Sequence, residues 1–359
     1  VIDPHLSPFH AAPQHGPRPL PLFLQLLRSE TEKNPERRAA ALAGLRAYQE
    51  AERGPPRTAP PAIATAGRAA LRDYGGGGRP VVFVPSLINP PFVLNLAPGN
   101  SLVRFVAEQG FRSLIVDWGV PGPGDRDQDV TAHIEQLLLP LLRDLDEPPI
   151  LVGYCLGGTI AVAAACAMPV AGVALLAAPW RFSRFGDKGL AAIDRHWAAA
   201  QPACEALGLV PMEVLQSGFW QLDPAQTIAK FERFATLAPG SDAARAFVAL
   251  EDWANLGAPL TYAAGRQLFN DFFAADLPGH GSWTVDGNIA DPAALACPAI
   301  EFVSLSDRIV PAATAIGLPD RRELTAGHVG MVVGGKARAV VWEPLAHWLS
   351  ALPAPRYVA

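Results

Sequence analysis

Val152-Gly153-Tyr154-Cys155-Leu156-Gly157-Gly158 is the stretch whose reading decides the fold. An apolar run, 149–154, ends in it, and an alanine-rich apolar segment, 157–168, leaves it. That pattern is a strand turning sharply into a helix with a cysteine at the corner, in the form G-x-C-x-G. The residue types follow from the geometry of such a turn. A corner residue sits in strained backbone, so Gly153 and Gly157 leave room for close approach, and Gly158 lets the helix pack on the sheet. The corner places Cys155 at the start of a helix, where the macrodipole favours a thiolate. The N–H of Leu156 then points to where an oxyanion would form. Read as structure alone, the stretch is a buried cysteine in a glycine-rich turn. The strand before it, the helix after it and the partners downstream separate the two readings.

Outward from the corner, the pattern alternates. Strands are expected at 81–85, 113–118, 149–154 and 172–177, and helices at 101–109, 130–145 and 157–168. Short unbroken apolar strands between helices mean a mostly parallel sheet covered by helices on both faces. The alternation stops after Pro179. Residues 180–295 read as helical, with Trp197, Trp220, Trp253 and several prolines. Strands resume at 299–305 and 322–325, and a last helix is expected over 336–349. Upstream, 34–51 reads as a helix capped by Asn34 with Pro35 in its first turn. Residues 54–61 read as a proline-rich linker, and 75–78 as a glycine run before the first strong strand. Residues 1–22 are rich in Pro and His. His5, His10 and His15 are evenly spaced, but nothing fixes their imidazoles, so a surface arm is preferred to a metal-binding tail. No internal repeat is seen. The expectation is an α/β protein with the α/β-hydrolase fold: an N-terminal arm and helix at 1–75, a core at 76–179 and 296–359, and a helical cap insert at 180–295.

Composition bounds the function classes. Of 359 residues, 50% are hydrophobic and 18% charged, enough for a sizeable core. The net charge of −5 shows no basic excess for nucleic acid or an anionic membrane. The apolar run 159–178 is split by Pro169, which favours a buried helix followed by a strand over a transmembrane segment. The four cysteines, Cys155, Cys166, Cys204 and Cys297, form no CxxC pair. Neither a zinc site nor a disulfide scaffold is expected, and the simplest compartment is a reducing, cytoplasmic one. Residues 19–27 are apolar but short, with no cleavage site after them, so no signal peptide is read. Val1 in place of Met leaves the native start open. There is no dinucleotide fingerprint, P-loop or HExxH.

The partners of Cys155 follow in the order nucleophile, acid, histidine. Ser304-Leu305-Ser306-Asp307 ends a late strand, and Ala326-Gly327-His328-Val329-Gly330 ends the next. In this fold the acid and histidine come from loops after the last strands. His328 would take a proton from Cys155 or from an attacking hydroxyl. Asp307 would orient His328 and stabilise its charged form. Read as structure alone, Asp307 is a turn residue and His328 a surface histidine. A second oxyanion donor is expected from the loop 85–91, at Leu87 or Ile88. Cys166 and Cys297 read as core. His196, His280 and His347 lie in the insert or the final helix. Asp117 with Trp118, and Asp252 with Trp253, read as packing at least as readily as site-lining residues.

Several further motifs carry a family resemblance over about 80–349. They are Pro85-Ser86-Leu87-Ile88-Asn89-Pro90, Leu94-Asn95-Leu96, Asn100-Ser101-Leu102, Val116-Asp117-Trp118-Gly119 and Leu250-Glu251-Asp252-Trp253. Ala296-Cys297-Pro298, Asp307-Arg308-Ile309-Val310-Pro311 and Gly327-His328-Val329-Gly330 extend the set. Together with the cysteine corner, the chain resembles the polyhydroxyalkanoate synthases, particularly the short catalytic subunit of the two-component type. The resemblance implies an acyltransferase that polymerises (R)-3-hydroxyacyl-coenzyme A through an acyl-Cys155 intermediate. It also implies that His328 activates Cys155, and that Asp307 supports His328 or helps to activate the attacking 3-hydroxyl. Arg308 stands where that family usually carries His, and residues 1–75 fall outside the pattern. A Cys-dependent hydrolase (thioesterase, esterase or polyester depolymerase) would keep every residue named so far. A third reading is an inactive granule-associated binding protein. No metal and no organic cofactor are expected, with acyl-coenzyme A or an ester as substrate. The resemblance further implies a homodimer, an accessory synthase subunit and the surface of a polyester granule.

Overall fold

The corner cysteine sits at the end of a central strand of one large sheet in the computed structural model, which describes residues 15–54 and 57–353. The histidine-bearing arm at 1–14, with His5 and His10, and residues 55 and 56 of the linker lie outside the described residues. The sheet strands are β1 (Ala62–Ala66), β2 (Ala69–Asp73), β3 (Pro80–Val84), β4 (Arg112–Asp117), β5 (Ile150–Tyr154), β6 (Gly172–Leu176), β7 (Ala299–Ser304) and β8 (Asp320–Leu324). They lie side by side in the order β1-β2-β4-β3-β5-β6-β7-β8. β1, β2 and β4 pair antiparallel, and every later pairing is parallel. This is the α/β-hydrolase sheet.

The apolar strands are central because both of their faces are covered. All five residues of β3, β5 and β6 are buried. The helix after the corner, Leu156–Ala167, is buried along Leu156 to Ala164, so an alanine-rich sequence with little polarity is what its position allows. The sequence reading placed no strand at 62–73. There β1 and β2 form an alanine-rich hairpin at the sheet edge, without the β-branched run that marks the inner strands.

Register aligns the strand ends that matter. Val84 pairs with Gly153, Tyr154 with Leu176, and Ser304 with Leu324. The loops after β3, β5, β7 and β8 therefore leave the sheet at one edge. Parallel neighbours usually need a crossover of a dozen or more residues, most often a helix. The β7–β8 connection holds only a short turn, Ala312–Thr314. A buried carboxylate pins it instead: Glu301 Oε1 accepts the N–H groups of Gly317 (2.9 Å) and Leu318 (2.8 Å).

The chain divides into two compact units. Among the described residues, one holds the sheet, with 57–218 and 256–353. Its segments around 182–197 and 269–273 carry an aromatic cluster in which Phe182 meets Phe272 and Phe273, and Trp197 stacks on Phe269 at 4.5 Å. Among the described residues, the other unit joins 15–54 to 219–255. Its helices Leu20–Glu30, Pro35–Glu50, Pro224–Phe234 and Asp242–Ala254 bury Phe23, Leu45, Tyr48, Ile228, Phe231 and Val248 together. Asn34 caps the second helix through the N–H of Arg37 (3.0 Å), as the sequence reading has it. Asp252 accepts from Tyr48 Oη (2.6 Å) and from the Arg53 guanidinium (3.1 Å), which makes it a tie within this unit. No helix among the described residues is long and apolar enough to cross a membrane.

Candidate active site

Cys155 stands between β5 and its helix with φ 55° and ψ −132°, a conformation that side-chain-bearing residues rarely adopt. Two backbone hydrogen bonds hold it there. Its N–H donates to Leu176 C=O (2.9 Å), and its C=O accepts from Gly158 N–H (2.8 Å). The neighbouring glycines are needed for contact. A Cβ on Gly157 would fall 2.1 Å from the carbonyl oxygen of Val84, and one on Gly158 would fall 2.3 Å from the Ala178 methyl. Gly157→Ala should therefore lower stability by about 2–4 kcal/mol, because backbone cannot yield as a side chain does. A denaturant midpoint equal to wild type would show that the loop after β3 does not press on the corner.

Asp307 follows β7 and His328 follows β8, and the common strand edge brings both to Cys155. The Asp307 carboxylate is fully buried, and the His328 side chain is 8% exposed. Asp307 Oδ1 accepts from the N–H groups of Ile309 (2.8 Å) and Val310 (2.9 Å), while Oδ2 lies 2.6 Å from His328 Nδ1. Both carboxylate oxygens are thus committed, and the one facing His328 cannot swing away. Ser304 and Ser306 bond the carbonyls of Ala326 and Thr325, fastening the histidine loop to the end of β7.

Burial alone would push the His328 imidazolium down. The charge of Cys155, hydrogen bonds to Asp307 and Cys155, and the charge of Asp307 outweigh it and raise its pKa to about 10. The protonated form of His328 is thereby favoured, set between a sulfur and a carboxylate. That arrangement can donate a proton to a leaving group beside Cys155 and recover one from an attacking hydroxyl.

The remaining candidates fall elsewhere. Leu156 begins the helix after Cys155 and is buried. The loop after β3 is drawn in by the Trp118 indole N–H, which donates to Pro85 C=O (3.0 Å). Within it Leu87 is buried, and Ile88 N–H is already engaged by Ser86 Oγ at 3.1 Å. Asp117 is paired with Arg72 at 2.7 Å. Burial raises the thiols of Cys166, Cys204 and Cys297, the last to about 11, so none of the three is poised as a nucleophile. A groove of about 730 Å³ lined by Trp180, Arg181, Cys297 and Trp348 includes none of Cys155, Asp307 or His328. Among the described residues no three His, Cys, Asp or Glu side chains converge as a metal site would require. The sequence reading passed over one neighbour of His328, Tyr154. Its ring stacks on the imidazole, a contact that depends on strand register and has no local signal.

The chain matches the family model of the alpha/beta hydrolase family over residues 81–266. The poly(3-hydroxyalkanoate) polymerase subunit PhaC of Haloferax mediterranei is 27% identical over 288 residues, which cover 76% of this chain and 58% of that protein. The subunit of the same name from Synechocystis sp. is 25% identical over 292 residues, covering 76% and 77%. The alignments thus cover three quarters of this chain but less than two thirds of the Haloferax protein. Among solved structures, the monoacylglycerol lipase of Paleococcus ferrophilus superposes with a TM-score of 0.48 at 16% identity, covering 79% of this chain and 99% of that one.

Proposed function

The chain belongs to the alpha/beta hydrolase family, and on that premise we propose that it is an acyltransferase that polymerises (R)-3-hydroxyacyl-coenzyme A through acyl-Cys155. The observation that carries this reading is the cysteine at the strained corner, with His328 beside it and held by a doubly anchored Asp307. Similarity to the poly(3-hydroxyalkanoate) polymerase subunits supports the choice of substrate.

The thiolate of Cys155 attacks the thioester carbonyl, and the carbonyl oxygen becomes an oxyanion. Leu156 N–H is the first donor to it. Leu87 is the better candidate for the second, since Ile88 N–H is engaged by Ser86. The oxyanion collapses, the bond to the coenzyme A sulfur breaks, and His328 gives that sulfur its proton. Neutral His328 then takes a proton from the 3-hydroxyl of another hydroxyacyl group as that oxygen attacks acyl-Cys155. The new ester forms, the Cys155 thiolate is released, and His328 is again an imidazolium. Asp307 keeps the ring in the tautomer that serves both steps. Cysteine suits the first step because one thioester replaces another at little thermodynamic cost. The mechanism calls for no metal or organic cofactor. By the same family likeness the protein would work as a homodimer, with an accessory subunit, at a cytoplasmic polyester granule.

The test is incubation of the full chain with 3-hydroxybutyryl-coenzyme A, following thiol release and product size together. Thiol release with insoluble polyester is the expected result. Release with free hydroxy acid alone would replace this reading by a hydrolase in which water is the acceptor. No release from this or other acyl-coenzyme A donors, with no acyl adduct on Cys155 by mass spectrometry, would favour an inactive binding protein.

A further inference from the structure

Tyr154 occupies the position between the first glycine of the corner and the nucleophile. Its side chain is buried, with 3% exposure, and it meets His328 twice. The two rings lie 5.1 Å apart between centroids at an interplanar angle of 28°, a stacked pair. The phenol hydroxyl donates to the backbone carbonyl of His328 at 3.2 Å. One contact therefore acts on the imidazole and the other on the backbone that carries it.

These contacts supply what Asp307 cannot. The hydrogen bonds to Asp307 and Cys155 hold two edges of the imidazole but leave its plane free to tilt about the line between them. A flat surface against one face removes that freedom and fixes the direction of Nε2. The face of a tyrosine ring is also electron-rich, so it favours the imidazolium over the neutral ring. Burial, with the charges of Cys155 and Asp307, raises the phenol well above its usual value. It remains a neutral donor whenever His328 is charged, and the carbonyl contact persists through the cycle.

We propose that Tyr154 is a positioning residue for His328. Its ring sets the plane of the imidazole and its hydroxyl holds the 325–330 loop, so that the strand end presenting Cys155 also aims the base at it. The inference rests on the acyl-transfer reading of Cys155 and His328. It assigns separable parts to the ring and the hydroxyl: Tyr154→Phe keeps the stack, and Tyr154→Leu loses both contacts.

The experiment is a ¹⁵N-histidine NMR titration of His328, its signal identified by loss in His328→Gln, run beside thioester turnover on the same full-length variants. In Tyr154→Leu, His328 should titrate at least about one pH unit lower and kcat should fall about tenfold or more with KM little changed, the pattern of a displaced base. Tyr154→Phe should restore kcat to within about threefold and bring the titration back toward wild type, since the stack outweighs one neutral hydrogen bond. Wild-type titration and kcat in Tyr154→Leu would overturn the proposal. If the leucine variant does not fold, Tyr154→Met offers a flexible chain that adapts to the gap without a ring, and the same two readouts decide. Suppose that Tyr154→Leu moves the His328 titration while Cys155→Ala leaves turnover intact. Then the acyl-transfer reading falls and the positioning role stands.

Discussion

Cys155→Ala should lose thioester turnover by about 10⁵-fold or more, because no other group can form the acyl intermediate and the remaining donors only bind. The folded structure should survive. Alanine keeps the backbone at φ 55° and ψ −132°, where a side-chain-bearing residue costs about 1–3 kcal/mol. Glycine would remove that strain at an unfolded-state cost of about 0.5–1 kcal/mol. Cys155→Gly should therefore be as inactive as Cys155→Ala yet about 1 kcal/mol more stable, read from paired denaturant midpoints. A glycine variant less stable than the alanine one by about 0.5–1 kcal/mol would mean that the corner stores no strain. Wild-type turnover in either variant would end the covalent mechanism. The pH behaviour follows from His328. With Cys155 present it holds its proton up to about pH 10, so wild-type turnover should fall as pH rises through that value and the proton donor is lost. Without Cys155 two of the raising influences vanish, and those of Asp307 remain against burial. The His328 titration should move down in Cys155→Ala.

The corner was legible because everything that shapes it is local. Glycines at 153, 157 and 158 answer to atoms of the adjoining strands and turns, and the apolar runs on either side have the lengths of a strand and a helix. Asp307 and His328 were legible at one remove, since their positions after the last strands follow from chain order once the fold is assumed. Other features were not, for physical reasons. The β1–β2 hairpin is built of alanines whose strand character comes from pairing with β4. The expected helix 130–145 spans a π-helical stretch, His133–Leu138, and the last helix begins with another, Arg338–Trp342. One such turn hardly changes the apolar periodicity, so neither left a mark in the sequence. The helices of 219–255 show apolar faces, but a face does not name the partner that covers it, here the helices of residues 20–50. Tyr154 on His328 and Ser86 on Ile88 are contacts of geometry between residues that carry no pattern of their own.

Asp307→Asn should reduce turnover by about 10³–10⁴-fold while leaving the fold intact. The reason lies in the two backbone donors. Ile309 and Val310 both give their N–H groups to Oδ1 at 2.8 and 2.9 Å, and only an oxygen can receive them. An asparagine must therefore place its carbonyl there and turn its NH₂ toward His328 Nδ1, now 2.6 Å from Oδ2. Facing a donor, Nδ1 becomes the acceptor and the ring proton moves to Nε2, the side of Cys155. A neutral ring in that tautomer cannot take a proton from the attacking hydroxyl, and the carboxylate charge that favours the imidazolium is gone. Asp307→Ala separates this effect from a structural one. It leaves two N–H groups without their acceptor in a buried loop, each costing about 1–3 kcal/mol, so it should unfold earlier than the asparagine variant. If Asp307→Asn turned over like wild type and only Asp307→Ala were destabilised, Asp307 would be a fastening for the 309–310 loop. The base beside Cys155 would then draw its orientation from Tyr154 alone.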